Sequence, residues 1–202
     1  HWKMSAKRGE LMVRLEEQPW DPAMTIIVDT RVAAHIGSGP ESTLEWVLSL
    51  GASLATELLR DRLRVSLLGA DGVIFRPING ESTGAAARLL ATVTDVEPSG
   101  RAFLEDCLAD PDALGTARTV VAGLGLLHSR DAAALVAATA RVADIDALVP
   151  DARAFRLPAD VVVAHEKACR LLTTSGWNVA AFGPDVTVPQ GWGRLVAQRE
   201  AR

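Results

Sequence analysis

The stretch "TIIVDTRVAAHIG", residues 25–37, is an apolar β-branched run that ends on an aspartate and breaks into a polar turn. A strand that is apolar without alternation is buried on both faces, so layers must lie above and below it. The next segment of the chain fits such a layer. In "GSGPESTLEWVLSLGASLATELLRDR", Ser42 and Glu45 form a capping-box pattern, and Leu44, Val47, Leu48, Gly51, Leu54, Ala55, Leu58 and Leu59 recur at helical spacing over about five turns. The helix therefore turns one broad apolar face to the sheet.

The rhythm continues along the chain. "RVSLLGADGVIFRPI" gives two short strands about an Asp71-Gly72 turn, Ser82 to Val96 a helix, "RAFLEDCLA" a short helix, and "RTVVAGLG" a second buried strand. Ser129 and Asp131 suit the start of the helix "RDAAALVAATARV". Residues 143–160 resist a clear reading, with "ARAFRLP" as their candidate strand. "AHEKACRLLTTSG" is a helix ending at Gly176, "WNVAAFG" a final strand and "PQGWGRLVAQRE" a terminal helix. Upstream, "GELMVRLEEQP" alternates as an edge or hairpin strand does. Strands alternating with helices predict an α/β domain, a mostly parallel sheet covered on both sides.

At 202 residues there is room for one sizeable domain. We divide the chain into a lead segment and edge strand (1–22) and the α/β domain (23–202). A net charge of −4 lacks the basic excess of a nucleic-acid binder. No apolar run reaches the length of a spanning helix, so no membrane contact is expected of this segment itself. It begins "HWKMSAKRGE", which reads as a piece of a longer protein. Cys107 and Cys169 lie far apart in apolar helical patterns and read as free buried thiols.

Several reactive-looking patterns have plainer readings. "HSRD" at 128–131 holds the residue types of a hydrolase triad, but sequence neighbours do not assemble that geometry and helix capping accounts for Ser129 and Asp131. "GLG" at 123–125 follows a strand without the third glycine of a dinucleotide fingerprint, and no phosphate loop of the GxxxxGK[ST] kind occurs. The histidines at 1, 35, 128 and 165 show no ligand spacing. No enzymatic activity and no cofactor are expected.

"HWKMSAKRGELMVRLEEQPWDPAMTIIVDTR" closely resembles the region joining the two halves of bacterial proteins in the domain-of-unknown-function 58 family, where an HW-x-x-x-A-[KR] motif leads into a von Willebrand factor A-like domain. The resemblance is specific over residues 1–60, weaker through 125 and loose beyond. It implies a three-layer α/β/α Rossmann-like domain in the soluble, cytoplasmic part of a membrane-anchored protein. It also implies work with MoxR-type AAA+ ATPases as an adaptor in assembling or maturing other proteins.

Domains of this type often hold Mg²⁺ through DxSxS after the first strand, a threonine on a later loop and an aspartate after the fourth strand. This chain supplies Asp29 but has Arg31 and Ala33 where the serines belong, and Gly123-Leu124-Gly125 follows the later strand. For the threonine, Thr83 and the Ser99-Gly100-Arg101 turn both remain candidates. Missing hydroxyls and an added guanidinium predict the frame of a metal site without its ion. Asp29 then caps the turn or pairs with Arg31, and Arg31 is the candidate to offer a fixed cation to a partner's carboxylate.

The expected binding crevice lies at the carboxyl ends of the strands, bordered by Asp29, Thr30, Arg31, Gly123 and Gly125. The basic lead, with Trp2, Lys3, Lys7 and Arg8, is either a solvated linker or a second docking surface. A metal-dependent ligand-binding module and an enzyme using the same crevice are the rival readings.

Overall fold

A computed structural model describes residues 23–78, 84–109, 114 and 117–201. The expected edge strand in "GELMVRLEEQP", the basic lead and Thr83 lie outside the described residues. The sheet consists of β1 (Ala23–Val28), β2 (Arg64–Gly69), β3 (Gly72–Phe75), β4 (Thr119–Gly123), β5 (Asp144–Pro150) and β6 (Asn178–Phe182). Their order is β3-β2-β1-β4-β5-β6, parallel throughout except for β3, which returns antiparallel on β2. The helices are α1 (Thr43–Arg60), α2 (Ala85–Thr94), α3 (Glu105–Leu108), α4 (Ser129–Ala138), α5 (Ala159–Thr174) and α6 (Val188–Glu200).

Alternation along the strands divides the interior into two layers. Ile26 and Val28 of β1, Val65 and Leu67 of β2, Leu148 of β5 and Phe182 of β6 pack with α1, α2 and α6. Ile27, Leu68, Val120, Ala122, Ala147 and Val149 face the other way, against α3, α4 and α5. The continuous apolar run at 26–28 thus serves two cores at once, which is why it does not alternate with polar residues. The α/β fold with helices on both sides is as the sequence predicts.

Local chemistry explains the joints. Ser42 Oγ accepts from the Glu45 amide at 3.2 Å and starts α1. A Cβ at Gly51 would lie 2.6 Å from Val28 Cγ2, so only glycine lets the middle of α1 sit this close to β1. The β2–β3 hairpin turns through Ala70 and Asp71 into Gly72, whose φ of +118° is a conformation L residues rarely adopt.

One expectation needs correction. The strand in the obscure region is "DIDALVP" (144–150), whereas 152–156 forms turns and "ARAFRLP" is no strand. Its acidic start hid the pattern. Asp146 is buried because Asn178 Nδ2 donates to it at 2.8 Å and Arg199 pairs with it at 3.0 Å. No helix among the described residues is long and apolar enough to cross a membrane.

Candidate functional site

The strand order reverses between β1 and β4, where the connections leave to opposite sides and open α/β sheets form a crevice at their carboxyl ends. All five residues expected there are brought together. They form its floor, however, since Asp29, Thr30, Arg31, Gly123 and Gly125 are all buried. Thr30 Oγ1 accepts from the Ala70 amide at 3.0 Å, joining the ends of β1 and β2. The Gly123 carbonyl accepts from the Asp29 amide at 2.9 Å. Gly125 donates its amide to Asp29 Oδ2 at 3.2 Å, and a Cβ there would collide with the Ala34 carbonyl oxygen.

Arg31 is the centre of the cluster. Its Nε and Nη2 donate to the two carboxylate oxygens of Asp29, at 2.9 and 2.7 Å, the two-pronged geometry that suits a guanidinium. Nη1 donates to Asp131 Oδ1 at 2.9 Å and to the Ala102 carbonyl at 3.0 Å, while Nη2 also reaches the Leu126 carbonyl at 3.5 Å. The side chain is only 2 % exposed and those of both aspartates are fully buried. Burial by itself would lower the Arg31 pKa, but hydrogen bonds and charge from Asp29, then Asp131, hold it above the ordinary value.

These contacts revise two expectations. Arg31 does pair with Asp29, as the plainer reading held, but it does not present its charge outward: every guanidinium N–H already faces an acceptor. A second carboxylate also reaches the pocket, from α4 rather than from the end of β4. Asp131 accepts from the His128 amide at 2.9 Å, which is the capping role foreseen, and from Leu104 N at 3.0 Å as well as from Arg31. Its sequence signal was indistinguishable from a helix cap, so its second role was missed.

Of the two loop candidates for the third element, Thr83 lies outside the described residues, and the Ser99 turn meets the end of β1 through its backbone. Ser99 bridges Arg31, with Val32 N donating to Ser99 O at 2.9 Å and Ser99 N to Thr30 O at 2.7 Å. His35, also unforeseen, closes the floor. Its Nε2 must carry the proton it gives the Asp29 carbonyl at 2.6 Å, while Nδ1 meets Thr43 Oγ1 at 3.0 Å. Burial pushes this imidazole below the ordinary histidine value.

The donor set does not fit the divalent ion that the resemblance to von Willebrand factor A-like domains implies. Both Asp29 oxygens are engaged by Arg31, positions 31 and 33 supply no hydroxyl, and no group of three or more His, Cys, Asp or Glu side chains that could hold a metal gathers among the described residues.

A histidine and a thiol meet elsewhere, one turn apart on α5, but not as a catalytic pair. His165 Nδ1 accepts from the Leu127 amide at 3.0 Å and Nε2 faces the Pro150 carbonyl at 2.9 Å, so no lone pair is left for Cys169 at 3.5 Å. Burial pushes the Cys169 thiol up to about 12 and that of Cys107 to about 11. Both are free.

Above the buried cluster lies an exposed rim. Val32 is 58 % exposed on the short turn Val32–Ala34. Half-buried Phe103 packs edge-on to His128 with centroids 6.2 Å apart, and the Arg130 guanidinium lies 4.5 Å from its ring centre. Arg130 pairs with Glu105, and Arg101 with Asp71 and Asp106. These residues adjoin in sequence the Arg31, Ala102 and Asp131 that make the cluster beneath.

No curated protein matches this chain. Residues 1–169, most of its length, match the family described as "Protein of unknown function DUF58", and the chain belongs to that family.

Proposed function

We propose that the domain is a protein-interaction module whose contact surface is the rim at the carboxyl ends of the strands. It works as an adaptor for a MoxR-type AAA+ ATPase in assembling or maturing other proteins. One observation carries the choice of a binding role over catalysis. The cluster at the switch point is sealed, with its cation and both carboxylates at most 2 % exposed, so it has no accessible acid, base or nucleophile. The rim above offers apolar and aromatic groups set among compensated charges, the composition of a contact surface. The adaptor role and the membrane-anchored bacterial parent rest on the family resemblance.

The test is capture of a purified MoxR-type ATPase by the protein, with ATP, with ADP and with no nucleotide, each with and without EDTA. Capture should survive chelation. The pair Phe103→Ala and Arg130→Glu should weaken it on the order of tenfold or more, as truncation of aromatic and arginine anchors does. Chelator-sensitive capture would return the metal-dependent rival, and capture indifferent to the rim pair would place the surface elsewhere.

A further inference from the structure

Away from the Arg31 cluster, a groove of about 500 Å³ opens between the start of α1 and the β6–α6 connection. Three aromatic side chains line it: half-buried Trp46 and Phe155, and buried Phe182. Trp46 and Phe182 stack with centroids 3.8 Å apart, and Phe155 stands edge-on to Phe182. Trp46 is held from two further directions, since its Nε1 donates to the Val186 carbonyl at 2.7 Å and a Cβ at Gly191 would lie 2.8 Å from its Cζ2. The aromatic wall is therefore fixed in advance, and a ligand does not have to order it.

The groove carries one sign of charge. Glu41, Glu45 and Asp185 line it and are all exposed, while no basic side chain among the described residues does so. None of the three forms an ion pair among the described residues. The helix dipole at the start of α1 accounts for the acidity of Glu41 and Glu45, but not for the aromatic wall beside them. Carboxylates beside rings suit a cation on an apolar stem, whose stem lies against the rings while its charge meets the carboxylates. A guanidinium does this better than an ammonium, because it is planar, stacks on aromatic rings and donates to carboxylates in two prongs.

We propose that this groove takes an arginine side chain from an exposed segment of a partner protein. Charge complementarity selects the occupant: three uncompensated carboxylates repel an acidic ligand, and an uncharged one would leave them unpaired. The inference goes beyond the rim reading and does not rest on it, since none of Val32, Phe103 and Arg130 lines the groove.

A blocked tripeptide of glycine, arginine and glycine, titrated into the isotope-labelled protein at constant ionic strength and followed by NMR, tests it. Lysine or citrulline in the arginine's place supplies the controls. The arginine peptide should move the signals of the Trp46 indole and the Glu45 amide, the lysine peptide should bind several-fold more weakly, and the neutral citrulline peptide should move neither. Glu41→Gln, Glu45→Gln and Asp185→Asn together should weaken binding about tenfold with little change in the urea midpoint, because all three positions are exposed. Phe155→Leu keeps the apolar bulk but removes the ring, and should weaken binding about threefold.

An unmoved Trp46 indole, a citrulline peptide that binds as well, or a triple variant that binds as tightly overturns the proposal. So does binding that appears only when Lys3, Lys7 and Arg8 are changed to glutamine, for then the chain's own basic lead fills the groove. Failure here would leave capture of the ATPase by the rim unchanged, so the two readings are judged separately.

Discussion

At the scale of single residues, burial decides what Arg31 does. A buried ion pair adds little when intact but costs much when broken, because the remaining charge has lost both its water and its partner. Arg31→Ala strands two carboxylates, and the expected loss is about 3 to 5 kcal/mol, read from urea unfolding. Arg31→Lys keeps the charge but cannot span both Asp29 oxygens, so it should still lose on the order of 2 kcal/mol. A variant as stable as wild type would show that the clamp contributes nothing.

Two histidines add a pH dependence. Burial lowers the pKa of both His35 and His165 from the ordinary 6.5, and each has both ring nitrogens hydrogen-bonded in the neutral form. The unfolded chain therefore takes up protons first as pH falls. Stability is whole above about 6.5 and declines below it toward the lowered folded values. Urea midpoints stepped from about pH 7.5 to 5 should fall, and His35→Gln or His165→Gln should each flatten the slope.

At the scale of elements, close approach of backbones fixes the joints. Gly125 has an ordinary φ, so its need for glycine is purely steric: a side chain there meets the Ala34 carbonyl, a backbone atom that cannot swing away. Gly125→Ala should cost about 1 to 3 kcal/mol by forcing the β4–α4 connection off the turn after β1. Denaturant unfolding measures the cost, and it should move Asp29, whose Oδ2 takes the Gly125 amide.

Elements also show where sequence reading succeeds. Helix α1 was legible because Ser42 and a strong apolar period mark it locally. Strand β5 was not, because Asp144 and Asp146 break the apolar run. Burial of Asp146 depends on Asn178 and Arg199, both far away in the chain.

At the scale of the whole molecule, the switch in strand order gathers segments distant in sequence. The end of β1, the Ser99–Leu104 turn and the start of α4 meet on one guanidinium. A pre-assembled face of this kind needs no ion to set its shape. Partner capture should then be equal in EDTA and in Mg²⁺, a comparison that the pull-down makes directly. A large difference between the two would mean that this face is built some other way.

The sequence by itself determined the layered α/β architecture, because hydrophobic period, caps and turn glycines act within a few residues of one another. It also marked Asp29, Thr30, Arg31, Gly123 and Gly125 as neighbours at the strand ends, since a parallel sheet must bring those ends together. Only the tertiary structure decided which way the Arg31 charge points. That choice is set by Asp131, 100 residues along the chain, and by the carbonyls of Ala102 and Leu126. Partners so remote leave no local pattern, and without them a guanidinium beside an aspartate faces water or the interior equally well.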